Sequence, residues 1–135
     1  MARALTAFVK TGDVPSRQAL QGALDPLGFK IVLDDDYRPL KTKGYVPCAL
    51  DGEDAGFDLR FETPDETARA RFNLDGETVA MAVRWGGDPR EALAALGVVA
   101  ALARDFGALV VEPGAATQIS ADEALGRARR AAQEL

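Results

Sequence analysis

The chain contains no histidine and a single cysteine, Cys48, in 135 residues. Without histidine there is no Ser–His or Cys–His dyad, no His-containing zinc site, and not the commonest general base. One cysteine allows neither an internal disulfide nor a thiolate-rich metal site, which fits a reducing, cytoplasmic setting. Aromatic residues are sparse, with one tryptophan, two tyrosines and six phenylalanines. No uninterrupted apolar run approaches the roughly 20 residues that span a bilayer, so no membrane contact is expected. The first residues lack the apolar centre of a signal peptide, because Lys10 and Asp13 come too soon. Any catalysis would rest on carboxylates, Lys, Tyr, Arg or a bound cofactor, and neither a catalytic residue nor a cofactor is assigned.

What is present suits a single domain over residues 1–135, with 47% hydrophobic and 27% charged residues. The net charge of −5 is unevenly placed. Residues 34–66 hold ten acids against four bases, a local charge of −6, whereas residues 1–33 come to +2 and residues 67–135 to −1. Such a surface disfavours nucleic-acid binding and favours a basic partner or plain solubility.

Read in order, residues 4–10 alternate as a strand, with apolar side chains in both sets, as in a central strand. Ser16 then caps a helix carrying Leu20, Ala23, Leu24 and Leu27 on one face, which Pro26 and Gly28 end. Residues 29–33 form the next strand. The polar stretch 34–43 has no periodicity and reads as an exposed loop. Residues 45–50 and 56–62 read as two strands about a turn at 51–55, and Pro47 places the first at an edge or a bulge. In the second, Phe57, Leu59 and Phe61 face inward.

Asp75-Gly76 between two runs is a hairpin signal, predicting that strand 68–74 pairs with strand 77–85. That register gathers Phe72, Val79, Met81, Val83 and Trp85 on a core face and Arg69, Arg71 and Arg84 on the other. Asp88, Pro89 and Glu91 open a helix over residues 89–106 that carries no charge from Ala92 to Ala103, as expected of a buried helix. A short strand, 108–112, is stopped by Pro113-Gly114. Ser120 and Glu123 cap an alanine-striped last helix, expected to be the loosest element. The predicted fold is α+β: a largely antiparallel sheet, a long apolar helix packed across it, and two further helices.

Four groups of residues invite a functional reading. Trp85-Gly86-Gly87-Asp88 opens a helix after a strand, where phosphates often bind, but Asp88 puts a negative charge there and the spacing matches no phosphate-binding fingerprint, so a plain turn is favoured. Asp34, Asp35, Asp36 and Tyr37, with Glu53 and Asp54, form an acidic candidate surface for a protein partner. They lack the spaced ligands and turn glycine of a calcium loop, and no metal site is assigned. Arg69, Arg71 and Arg84 are the alternative, a site for an anionic ligand, or partners of nearby acids. Asp58 with Glu62, or Glu53 with Asp54, are the candidates for a carboxylate-dependent enzyme, the least favoured reading beside a charge-paired solvent face. Cys48 reads as buried and inert.

The WGGD-PREA turn, the alanine-rich helix and the VVEPG exit, residues 79–114, resemble small α+β bacterial proteins of the polymorphic-toxin immunity type. The resemblance covers about a quarter of the chain, and its motifs are structural. It implies a cytoplasmic protein that neutralises a toxin by binding it, and it assigns no functional residue. An Ala- and Arg-rich composition fits a GC-rich bacterial genome.

Overall fold

The computed structural model describes residues 3–113 and 117–135, among which lie seven strands and four α-helices. The strands are β1 (Ala4–Lys10), β2 (Ile31–Leu33), β3 (Lys43–Leu50), β4 (Glu53–Glu62), β5 (Thr78–Arg84), β6 (Leu109–Val111) and β7 (Gln118–Ile119). The helices are α1 (Arg17–Leu24), α2 (Glu66–Phe72), α3 (Pro89–Asp105) and α4 (Ala121–Gln133). All strands join one sheet in the order β2-β3-β4-β5-β1-β6-β7, each pairing antiparallel. The fold class expected from the sequence, an antiparallel α+β domain with a long helix across its sheet, is the observed one. Gly114, expected to close the strand before it, lies outside the described residues, as do Met1 and Ala2.

Local chemistry sets most boundaries. The Ser16 hydroxyl accepts from the Ala19 N–H at 3.1 Å, and Gly28 ends the following 3-10 turn at φ 82. The β3–β4 turn is tighter than expected, because Asp51 (φ 50) and Gly52 (φ 82) form a two-residue hairpin and β4 begins at Glu53. Pro47 points its carbonyl toward β2, where it accepts from Asp34 N–H at 3.2 Å. Its missing N–H therefore faces the place where β2 ends and β3 becomes an edge.

The predicted strand at 68–74 is instead the helix α2, and the hairpin at Asp75-Gly76 does not exist. The Asp65 carboxylate caps this helix by accepting from Ala68 N–H at 2.7 Å, and Asn73 ends it in the left-handed region at φ 53. Asp75 then accepts from Glu77 N–H at 2.9 Å and from the Thr78 hydroxyl at 3.1 Å, a local turn that delivers the chain into β5. Strand β5 pairs with β4 and β1, bringing Met81 beside Phe61 and Ala7, and Val83 beside Leu59 and Leu5.

Alternation divides the sheet into two faces. The larger core takes Leu5, Ala7 and Val9 from β1, Val46, Cys48 and Leu50 from β3, and Phe57, Leu59 and Phe61 from β4, and on it lie α1, α3 and α4. Helix α3 is buried without interruption from Leu93 to Leu102, between the sheet and the alanine face of α4. Ala124 and Ala128 are fully buried against it, the close approach that small side chains permit. A smaller cluster on the opposite face joins Phe8, Ala80 and Val111 to Ala68 and Phe72 of α2, with the Phe8 and Phe72 rings 5.9 Å apart. Helix α2 covers only part of that face. Its β2–β3–β4 corner stays open.

Candidate functional site

Strands β2 and β4 flank β3, so the two acidic runs of the sequence meet at one corner. Asp34 bonds to Pro47 from the β2 side, and Asp54 stands opposite Ala49 from the β4 side. They bracket the same short piece of β3. Because Ile31, Leu33, Val46, Cys48 and Leu50 face the core, the side chains between them face out. Val32 is 53% exposed and Tyr45 57% exposed, the two large side chains of this open surface.

Tyr45 is held in place by what lies beneath it. Its ring covers Gly56, where a Cβ would collide with the phenol. Partial burial, then the nearby Glu91, Cys48 and Asp54, raise the phenol pKa. The surrounding groove, about 210 Å³, is lined by Tyr45, Gly56, Asp58, Arg84, Trp85 and Glu91.

The acids divide into paired and unpaired groups. Asp35 lies 3.3 Å from Arg17, Glu53 2.6 Å from Arg90, and Asp58 3.0 Å from Arg60. These pairs are exposed, and such contacts are worth about 0–1 kcal/mol each, so they orient side chains more than they hold the fold. The Asp34 carboxylate accepts from the Asp35 N–H at 2.6 Å, a turn contact that leaves its charge unneutralised. Among the described residues, Asp36 and Asp54 make no ion pair.

Tyr37 does not belong to this surface. It was expected on an exposed loop, yet it is 2% exposed, donating its hydroxyl to the Pro15 carbonyl at 2.8 Å and packing 6.3 Å from the Phe61 ring. Burial pushes its phenol pKa well up. The loop at 34–42 is pinned by this tyrosine and by Thr42, whose hydroxyl accepts from the Arg38 N–H at 2.7 Å.

The hairpin register that aligned the three arginines does not occur, because α2 lies where it requires a strand. Arg69 donates to the Asp75 carbonyl at 2.8 Å. Arg71 borders a groove of about 300 Å³ between α2 and the sheet, floored by Phe8, Phe72 and Val111 with Glu62 at its rim. Arg84 ends β5 at the Tyr45 groove.

At the start of α3 the chain supplies its own anions. Asp88 accepts from Arg90 N–H at 2.9 Å, and Glu91 Oε1 accepts from Gly86 N–H at 3.0 Å. The carboxylate of a capping box thus reaches beyond the cap to the glycine turn. Trp85 packs against the large core. The plain-turn reading describes what is seen. Cys48 is buried, and burial, with Asp34 adding to it, pushes its thiol up to about 12, the opposite of an activated nucleophile. Among the described residues no three His, Cys, Asp or Glu side chains converge as a metal site, and no helix is long and apolar enough to cross a membrane.

Val32 and Tyr45 were not singled out from the sequence. The alternation of Val46, Cys48 and Leu50 held the signal that Tyr45 points the other way, but no residue there says that this face is left uncovered. Comparison with known proteins finds no family model, no curated protein and no solved structure that matches the chain.

Proposed function

We propose that this chain is a non-enzymatic protein-binding domain that meets a basic partner through the open β2–β3–β4 corner. The observation that carries this reading is that Asp34 and Asp54, which make no ion pair among the described residues, flank one short piece of β3 beside two exposed large side chains, Val32 and Tyr45, with the exposed Asp36 following Asp34 in the chain. Exposed aromatic area ringed by hydrated charge is the composition of an interface, with the charges steering encounter and the aromatic giving contact area. The groups most strongly shifted by burial, Tyr37 and Cys48, are held within the core, where they serve packing and not chemistry. The particular form proposed is an immunity-type inhibitor of a bacterial toxin in the cytoplasm, which the resemblance of residues 79–114 supports.

The test uses the protein encoded beside this chain. If its C-terminal domain is toxic, the wild-type chain should bind it, suppress its toxicity, and lose affinity as salt rises. The triple variant Asp34→Lys/Asp36→Lys/Asp54→Lys should bind at least about tenfold more weakly, the scale of losing several steering charges. Unchanged affinity in that variant sinks the acidic-surface reading. A neighbouring gene set devoted to metabolism, with no toxic domain, removes the immunity form.

A further inference from the structure

We infer that Tyr45 is the anchor of this interface, a platform on which the partner lays the guanidinium of an arginine. The inference rests on the protein-binding reading above and adds where the partner's charge goes. The phenol end of Tyr45 lies over Gly56, in the space a Cβ would take, while the side chain remains 57% exposed. Gly56 is the residue opposite Pro47, and the absence of its Cβ is what lets the ring lie down on the strand. Anionic groups lie nearby: Glu91 lines the same groove, Asp58 is the cross-strand neighbour of Tyr45, and Asp54 precedes Gly56 by two residues on β4. Asp58 is already engaged by Arg60, and Glu91 by Gly86, so each keeps its position while retaining oxygens for a further donor.

A flat cation suits this arrangement better than a compact one. Arginine stacks on an aromatic face and spreads several N–H donors in its own plane, toward carboxylates at the ring's edge. A lysine reaches the same charges but stacks less well. Arg84, opposite Asp58 on β5, disfavours a second cation on that side and leaves the Asp54 side as the approach. The occupant is therefore an exposed arginine on a basic protein surface.

The probe is tetra-arginine amide, titrated into the full chain at low salt and followed by backbone amide NMR, with tetra-lysine amide as comparison. The expected shifts centre on Tyr45, Asp54 and Gly56, with tetra-arginine binding more tightly than tetra-lysine. Tyr45→Ala should weaken binding about fivefold, the scale of one exposed cation–aromatic contact, while Tyr45→Phe preserves it. Gly56→Ala leaves Tyr45 in the sequence but lifts its ring, and should weaken binding like Tyr45→Ala. Shifts confined to Asp34–Asp36 or to the α2 groove, equal affinity in Tyr45→Ala, or no binding at millimolar peptide would each overturn the inference. The protein-binding reading is judged separately, by the triple lysine variant against the toxic domain.

Discussion

The carboxamide of Gln21 takes the place of a neighbouring strand along Leu33. Its Oε1 accepts from the Leu33 N–H at 2.8 Å, and its Nε2 donates to the Ile31 carbonyl at 2.7 Å. Arg17 adds a bond to the Leu33 carbonyl at 3.0 Å. Two side chains of α1 thus satisfy the outer edge of β2, which would otherwise present open backbone to another chain. Gln21→Met keeps the side-chain length and removes both bonds. It should cost about 1–3 kcal/mol, the penalty for leaving such groups unpaired, and speed hydrogen exchange at the Leu33 amide. An unchanged urea midpoint with unchanged Leu33 protection would contradict this account of the edge.

Helix α2 depends on a cap that the sequence displays plainly. Asp65→Ala removes the acceptor for Ala68 N–H and should destabilise the protein by about 1 kcal/mol. Amide exchange at Ala68 and Arg69 should rise more than in the sheet. If 68–74 were a strand, the substitution would leave those amides as they are.

Gly97 is a point of close approach between α3 and its neighbours Ile31 and Leu24. A Cβ there would stand 2.6 Å from Ile31 Cδ1 and 3.9 Å from Leu24 Cδ2. Ile31 is itself buried, so the clash is not relieved by swinging into solvent. Overpacking of this kind costs about 1–3 kcal/mol, against a helix-propensity gain of about 1 kcal/mol, so Gly97→Ala should be destabilising. Ile31→Val in the same chain should recover part of the loss. Additive effects in a double-mutant cycle would show that the two residues do not touch.

Cys48 gives the fold an alkaline limit. Burial raises its thiol from 9.0 to about 12, so between those values the unfolded chain has released a proton that the folded chain still holds. Stability from this group is complete below pH 9 and falls as pH rises, at about 1.4 kcal/mol per pH unit. Tyr37, whose pKa is raised from 10.0, adds a loss of the same sign above pH 10. Urea titrations between pH 9 and 10 should show the decline in the wild type and a flatter profile in Cys48→Ala. Equal slopes would remove Cys48 as the cause.

How far the fold was legible depended on whether the determining chemistry was local. Ser16, Gly28, Asp88 and Ser120 announce their boundaries through caps and turns, and the unbroken apolar run of α3 announces its burial. Residues 68–72, Ala-Arg-Ala-Arg-Phe, alternate like a strand, yet alanine and arginine are strong helix formers, and Asp65 and Asn73 bracket them as cap and terminator. That alternation resembles a strand, but the cap at Asp65 and the left-handed Asn73 make it one short helix. Tyr37 failed for a different reason: its partner Pro15 lies 22 residues away, and nothing near a run of three aspartates shows that the chain turns back there. For the site, the acids were visible as composition. Their meeting at one corner required the order β2-β3-β4, and the openness of that corner required knowing where α2 lies.

The position of β1 has a consequence for how the chain is made. It is made before the other strands, yet it sits between two strands that come much later, Leu5 meeting Val83 and Ala7 meeting Val110. The β3–β4 pairing is local, joined by the two-residue turn at Asp51-Gly52. The middle of the sheet must wait until translation has passed β6. Until then the nascent protein carries Leu5, Ala7 and Val9 without their sheet neighbours, and such late, long-range closure is slow and exposed to misassembly.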